Sequence, residues 1–298
     1  MAKQGRSLPA KVPDECDSRP CKTGPSSAKL DAVDRSLDQL ASEALARAGI
    51  EPFPAIDIEK LAYRLGISSI ASDEHLVEDG RLVSEGRQRG IVVRKDASKA
   101  RRRFTIAHEL GHLVLIESGS EAVAQRLGPP VDDVERMCDD FAAAILMPFE
   151  WVSSCFAHRP QNLSTIRHLA HQTGTSLSAS AVRLTEVLGW RVALLRWRLE
   201  GGRWRFMAGA ALPFWLHGQV RSAPETNDSL HAIFQRTTRD TRTKVPFRVG
   251  NETVTVDAQV SLSSTSALVL LDLARSQSQL ASAMRVGREP RQRRPVSK

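Results

Sequence analysis

The sequence has few cysteines, a single tyrosine and no long apolar run, and each shortage excludes a class of protein. Four cysteines occur among 298 residues, with no CxxC pair. Such sparse cysteines do not form the framework of a secreted disulfide scaffold, so we expect reduced thiols. There is no signal-peptide h-region and no stretch of about 18 apolar residues, the length that spans a bilayer. We therefore expect a cytoplasmic protein that does not bind membranes.

The net charge of +8 is concentrated at the two ends of the chain. Residues 1–30 carry six lysines and arginines against three acidic residues, and residues 276–298 carry six against one. The span between them is formally neutral. A basic tail is more often a solvated appendage than a reader of DNA sequence, so the charge alone does not predict a DNA-binding protein.

The chain is longer than the roughly 100–200 residues of one typical domain, and its composition changes along its length. Proline, serine and lysine dominate the beginning, helical periodicity follows, and strand-like alternation appears after Trp190. We predict five segments: a disordered leader at 1–33, an α+β domain at 34–150, a helical extension at 151–189, a β-rich domain at 190–275 and a basic disordered tail at 276–298.

Within 34–150 the pattern predicts helices packed on a small sheet. One helix ends near Gly49, and a second runs from an Asp57 cap to Gly66. The segment GRLVSEGRQRGIVVRKD has two β-branched runs about a turn and predicts a hairpin. Two further helices follow, one containing FTIAHELGHLVL and one running from about Asp132 to Met147.

The segment 161–189 predicts two short helices about the turn TGTS, a shape compatible with a helix-turn-helix. Its second helix offers only Arg183 as a basic residue, so a helical extension of the first domain is the favoured interpretation and DNA contact the alternative.

The stretch FTIAHELGHLVL places His108 and His112 four residues apart, with Glu109 directly after the first histidine. Residues four apart on a helix lie within about 40° of each other, so both imidazoles can reach one ion. Zinc prefers such nitrogen ligands, and Glu109 is turned far enough away to contact the attacking water as a general base. The motif predicts a hydrolytic zinc site.

A hydrolytic zinc site needs a third protein ligand, which the following helix supplies. Glu135 and Asp139 lie four residues apart on one face of it. We predict that Glu135 binds the metal and that Asp139 accepts a hydrogen bond from the far nitrogen of a ligand histidine. Metzincins place a glycine and a histidine three and six residues beyond the second histidine, where this chain has Leu115 and Ser118. Asp132, Asp133 and Asp140 are weaker candidates for the third ligand.

Gly111 interrupts the helix between the two histidines. A glycine within a helix costs about 1 kcal/mol relative to alanine, so a purely structural helix would gain nothing from it. We therefore expect close approach of a neighbouring backbone at Gly111.

RRRFTIAHELGHLVL together with ERMCDDFAAAILMP resembles the ImmA/IrrE family of metallopeptidases, which relieve repression by cleaving helix-turn-helix repressors. The resemblance covers about residues 40–190. It implies a zincin-like fold, His108, His112 and Glu135 as metal ligands, and Glu109 as catalytic base. It also implies a repressor as protein substrate and a divalent metal, Zn²⁺ or Mn²⁺. Radiation-response members carry a GAF-like C-terminal sensor domain, to which residues 190–275 are compared.

Three classes of function follow: a site-specific zinc endopeptidase, a DNA-binding regulator with a structural metal, and a non-catalytic partner-binding protein. The glutamate of the motif favours the first, because a structural zinc site has no use for a general base. Peptide hydrolysis passes through a tetrahedral oxyanion, and the sequence does not identify the hydrogen-bond donor that would stabilise it. The weak candidates are Tyr63, His158, His168 and His171.

A basic stretch precedes the motif helix. Residues 86–103 carry eight lysines and arginines against one aspartate. A solvated hairpin and loop is the favoured interpretation, and a docking patch for an acidic substrate segment or for DNA is the alternative.

Overall fold

The computed structural model describes residues 32–52, 56–118, 131–211, 232–235, 240–249 and 252–276. The predicted leader and basic tail lie almost entirely outside these residues. In the described ranges, no helix combines the length and the apolar character needed to cross a bilayer.

Seven helices of at least seven residues lie in the described ranges, and their apolar faces form the main core. They are α1 (Ala32–Arg47), α2 (Ile58–Arg64), α3 (Lys99–Ser118), α4 (Val131–Leu146), α5 (Phe149–Phe156), α6 (Leu163–Thr173) and α7 (Leu177–Leu188). The predicted cap of α2 is present, since the Asp57 side chain accepts a hydrogen bond from the backbone N–H of Lys60. Helix α5 was not predicted from the sequence.

A three-stranded sheet packs against α3 through β2 and β3. Its strands are β1 (Ser69–Asp73), β2 (Gly80–Glu85) and β3 (Gln88–Arg94). Strands β2 and β3 form the predicted antiparallel hairpin, while β1, which the sequence pattern did not reveal, pairs in parallel with β3. The order β1-β3-β2 leaves β2 at the edge beside the motif helix.

A second sheet of five antiparallel strands follows Trp190. Its strands are β4 (Val192–Glu200), β5 (Arg203–Ala210), β6 (Thr241–Val249), β7 (Glu252–Leu262) and β8 (Ser266–Asp272), in the order β5-β4-β8-β7-β6. The turn between β4 and β5 is the Gly-Gly pair, where positive φ angles of 56° and 76° at Gly201 and Gly202 favour glycine.

The two faces of this sheet contribute to different cores. Val192, Leu194 and Leu270 join the main core with the helices. The opposite face carries a second cluster that includes Trp197, Val256 and Phe234. The protein is thus a mixed α+β structure, as predicted, with helices packed on one face of each sheet.

Helix α6 is bonded at both ends to other parts of the fold. At its beginning, the backbone N–H of Leu163 donates to Oε1 of Gln259 on β7, 2.9 Å away. At its end, Nη2 of Arg103 on α3 donates to the carbonyl oxygen of Thr173, 3.2 Å away, and also to that of Ile56. The helix therefore links the five-stranded sheet to α3.

The helices α6 and α7 match the predicted pair, with Asn162 and Ser176 as their N-caps. Arg183, the basic residue on which the DNA-contact alternative depended, is buried. Its guanidinium pairs with Asp38, and its Nε donates to the carbonyl oxygen of Met147, 2.9 Å away. Because these contacts occupy Arg183 inside the fold, it is not available to a DNA backbone.

Candidate metal centre

Helices α3 and α4 hold the predicted site residues, and they approach each other most closely at Gly111. A Cβ atom at this position would lie 3.1 Å from Cα of Cys138 and 3.3 Å from Cδ1 of Phe141. A side chain would therefore force the two helices apart. Helix α4 is thus the neighbouring backbone whose close approach we expected at Gly111.

This approach brings the histidines of α3 to the carboxylates of α4. Nε2 of His108 lies 3.1 Å from Oε2 of Glu135, and Nε2 of His112 lies 3.5 Å from Oε1 of the same side chain. The two rings are 5.0 Å apart between centroids. Both imidazole nitrogens thus lie close to the same carboxylate, a donor set that suits Zn²⁺.

Asp139 lies one turn beyond Glu135 and contacts the other side of the first histidine. Its Oδ1 is 2.8 Å from Nδ1 of His108. With the proton on Nδ1, the ring donates to the aspartate and its Nε2 lone pair faces Glu135. The two ring nitrogens of His108 therefore contact different carboxylates, Nδ1 that of Asp139 and Nε2 that of Glu135.

The pKa values of the two histidines shift in opposite directions. Burial lowers the pKa of His108, but its hydrogen bond to Asp139 and the nearby carboxylates outweigh burial and raise the pKa above its ordinary value. Burial lowers the pKa of His112, and the charge of Glu135 offsets this only in part. A lowered pKa favours the neutral imidazole, the form that binds metals.

Glu109 is buried at the edge of the same cleft, with 7% of its surface exposed. Burial raises the pKa of its carboxyl, while the charge of His108 and a hydrogen bond with the backbone of Leu82 act in the opposite direction. A carboxyl group with a raised pKa takes and returns protons more readily near neutral pH. Glu109 lies beside the histidines but does not take part in their contacts with Glu135, a position that suits a general base.

Strand β2 forms the wall of the cleft beside Glu109. At Gly80, a Cβ would lie 2.2 Å from Cγ2 of Thr105 and 3.2 Å from Oε1 of Glu109. Only glycine lets the strand approach α3 this closely. Sequence reasoning did not single out Gly80.

Cys138 also lies near the histidines: one ligand atom from each of His108, His112 and Cys138 falls within 4.8 Å of the others. The thiol is fully buried, and burial raises its pKa to about 12. Thiolate is the form that binds metals, so this environment disfavours Cys138 as a ligand compared with the exposed carboxylate of Glu135.

A cleft of about 620 Å³ is lined by His108, Glu109, His112 and Glu135. Phe104 and Ile116, each four residues outside the histidine pair, also line it, and Ile116 is 72% exposed. Arg81 and Arg101 also line the cleft, paired with Glu78 and Asp79 respectively. Only Arg101 was singled out from the sequence, as part of the basic stretch, although the spacing of four from the histidines would have identified Phe104 and Ile116.

The predicted candidates for an oxyanion donor do not line this cleft. Tyr63 is half exposed on α2, and His168 packs against Phe156. His158 and His171 are exposed on the helical extension. Asp140, a weaker candidate ligand, lines a separate pocket with Asp38 and Arg183.

The basic stretch before α3 is largely neutralised by acidic partners. Arg89 pairs with Glu117, Lys95 with Glu74, and Arg102 with Glu59. Arg94 and Arg101 both pair with Asp79, and Arg103 is bonded to backbone carbonyls. These contacts support the interpretation as a solvated hairpin and loop over that of a docking patch.

Residues 59–185 match the family model of the IrrE N-terminal-like domain, Peptidase M78. The matched segment contains both histidines, Glu109 and Glu135. Among solved structures, the chain is similar to a Mycobacterium tuberculosis transcriptional regulator, with 20% identity, 81% of this chain and 90% of that chain covered, and a TM-score of 0.49. No curated protein matches the chain significantly.

Proposed function

We propose that the protein is a zinc-dependent endopeptidase, because residues 59–185 match the IrrE N-terminal-like domain of the Peptidase M78 family. Its substrate is a helix-turn-helix transcriptional repressor in the cytoplasm, and cleavage of one peptide bond relieves repression in a stress or mobile-element response. The substrate class rests on the family resemblance, and the chemistry rests on the cleft.

The observation that carries the chemistry is the convergence of His108, His112 and Glu135 beside a buried glutamate that is not one of the three. The three side chains would hold the zinc ion. A structural zinc site usually has four protein ligands and needs no base, whereas a catalytic site has three and leaves one position open. The arrangement of Glu109 next to three donors therefore favours catalysis.

Zinc bound there supplies a Lewis acid that polarises the scissile carbonyl and acidifies water. Glu109 takes the proton of the attacking water at its carboxylate and delivers it to the leaving amine. Asp139 holds the ring of His108 in one tautomer and one orientation throughout. The apolar side chains of Phe104 and Ile116 line the cleft and would contact the substrate there.

The five-stranded sheet has a separate role in this proposal. We assign residues 190–275 to a GAF-like sensor unit that controls the peptidase, because the family resemblance places such a unit after the peptidase domain. The bonds of α6 to Gln259 and Arg103 provide the physical connection that such control needs.

The test is incubation of the purified zinc-loaded protein with the repressor encoded nearest to its gene, followed by mass determination of the fragments. Wild type should yield two fragments whose masses sum to the repressor plus one water. Glu109→Gln should yield none while retaining zinc, because the amide cannot accept the proton. Glu150→Gln removes the same charge from the exposed beginning of α5 and should cleave like wild type.

Cleavage by Glu109→Gln would refute the mechanism. Binding of the intact repressor by zinc-loaded wild type, without any cleavage, would instead support a regulator with a non-catalytic metal.

A further inference from the structure

The hairpin of β4 and β5 carries a dense group of cations in a region of the chain that is formally neutral overall. Residues 190–211 contain five arginines and one glutamate. Four of the arginines are exposed on the two strands. We call the surface formed by Arg196, Arg198, Arg203 and Arg205 the arginine face.

The strand register places these side chains on one side of the sheet. Arg198 lies directly opposite Arg205, and Arg203 lies opposite Glu200. Arg196 follows on the same side of β4, two residues from Arg198. Residues two apart on a strand are separated by about 6.7 Å, and neighbouring strands by about 4.8 Å, so the four guanidinium groups share one compact surface.

This arrangement is unfavourable for the isolated protein. Like charges directly opposite each other on antiparallel strands destabilise the sheet, in contrast to opposite charges. The only ion pair within the hairpin joins Nε of Arg205 to Oε2 of Glu200, 3.5 Å apart, and Arg205 remains 71% exposed. Among the described residues, no acidic side chain pairs with Arg196, Arg198 or Arg203. The repulsion is therefore not relieved within the described fold.

The other end of the same sheet shows a different arrangement. On β6, Lys244 lies opposite Asp257 and Arg242 lies opposite Gln259. These two cations each have an acidic or amide neighbour in register, while Arg248 of the same strand lies opposite Thr253. Two cations thus lie directly opposite each other in the β4–β5 pair and not in the β6–β7 pair.

We propose that the arginine face binds the phosphate backbone of duplex DNA. Closely spaced arginines match a regular row of phosphates, because guanidinium groups form paired hydrogen bonds with phosphate oxygens. Duplex DNA carries one charge for about every 1.7 Å of its axis, a density that neutralises such a face. Bound phosphates would relieve the repulsion between Arg198 and Arg205.

The absence of aromatic side chains from the arginine face favours duplex over single-stranded nucleic acid. Proteins that bind single strands stack the bases on aromatic rings. The aromatic residues of this hairpin, Trp197, Trp204 and Phe206, contact each other and Phe234 on the opposite face of the sheet. Binding through the arginine face should accordingly be independent of sequence and strongly dependent on salt.

This surface differs from the one that the helix-turn-helix pattern predicted. Arg183 of α7 is buried against Asp38, whereas the arginines of β4 and β5 are exposed. DNA binding by the arginine face does not require peptidase activity. It would keep the protein close to any partner that is itself bound to DNA.

The test compares two double variants of the full-length chain. Arg198→Gln with Arg205→Gln removes the opposed pair, and Arg242→Gln with Lys244→Gln removes two exposed cations from the same sheet. Each variant loses two positive charges and keeps the basic segments at both ends of the chain. Any DNA binding by these segments is therefore the same in both variants. Affinity for a labelled duplex of mixed sequence is measured by fluorescence anisotropy over about 50–200 mM salt.

We expect the first variant to bind about tenfold more weakly than wild type and to lower the slope of log affinity against log salt by about 2, one unit for each lost phosphate contact. The second variant should stay close to wild type. The first variant should also unfold at the same or a higher temperature than wild type, because it removes a repulsive pair.

Equal losses in the two variants would overturn the proposal, because net charge alone would then explain the binding. An unchanged salt slope in the first variant would overturn it as well. Competition by poly-glutamate as effective as competition by unlabelled duplex would assign the arginine face to an acidic protein instead.

Discussion

Asp139 on α4 and His108 on α3 are joined by a contact of 2.8 Å between Oδ1 and Nδ1. Glu135, one turn earlier on the same helix, contacts the other nitrogen of that ring. The imidazole is thus held from both sides by a single helix. Its orientation depends on the packing of α4 against α3.

Replacement of Asp139 tests this orientation. Asp139→Ala removes the acceptor of the Nδ1 proton, so we expect zinc affinity to fall by about 10- to 100-fold. Asp139→Asn keeps a carbonyl oxygen at the same distance and should bind zinc nearly as well as wild type. Competition with a chromophoric chelator measures both affinities. Equal affinities of Asp139→Ala and wild type would show that the contact does not support the metal.

The choice between Glu135 and Cys138 as third ligand is tested by one substitution at each. Glu135→Ala should abolish stoichiometric zinc binding, since it removes the carboxylate between the two histidines. Cys138→Ala should retain zinc and lose only about 1 kcal/mol of stability from the small cavity. Zinc content after dialysis, measured by atomic absorption, distinguishes them. The reverse pattern would make Cys138 the ligand.

Much of this site could be read from the sequence because helical geometry is regular. The spacing of His108 from His112, and of Glu135 from Asp139, fixes which side chains share a face. That the two faces meet is a tertiary fact, and Gly111 was its only local signal. Strand β1 and Gly80 could not be found in this way, because their roles depend on neighbours distant in the chain.

Substitution of Gly111 should separate the two helices. A Cβ at this position meets backbone and side-chain atoms of α4, so overpacking should cost about 1–3 kcal/mol. Alanine regains about 1 kcal/mol of helix propensity, which leaves Gly111→Ala modestly destabilised. Gly111→Ser adds an oxygen without that gain and should be worse. Urea unfolding should show the free energy of unfolding falling in the order wild type, Gly111→Ala, Gly111→Ser. An alanine variant more stable than wild type would refute the close contact.

Arg183 should behave as a structural residue. Arg183→Met removes the buried partner of Asp38 and the donor to the Met147 carbonyl, so we expect a loss of about 3 kcal/mol in the free energy of unfolding. Affinity for duplex DNA should remain that of wild type. A DNA-binding defect without loss of stability would restore the helix-turn-helix interpretation.

The burial of Arg183 also shows where sequence reasoning fails for charged residues. The sequence shows only that Arg183 is the one basic residue of its helix, and does not reveal that Asp38, far away in the chain, forms an ion pair with it. The opposite holds for β4 and β5, where alternation after Trp190 predicted strands but only the register revealed that two arginines face each other. Pairing between distant segments decides both cases, and periodicity does not encode it.

Helix α6 connects the five-stranded sheet to α3, the helix that carries the two histidines of the candidate metal centre. Its first turn is anchored to β7 through Gln259, and its last residue is anchored to Arg103, five residues before His108 on the same helix. A shift of the sheet along the axis of α6 would therefore push or pull on the segment of α3 that carries the histidines. The position of the imidazoles thus depends on the five-stranded sheet, although their described contacts with Glu135 and Asp139 come from α4.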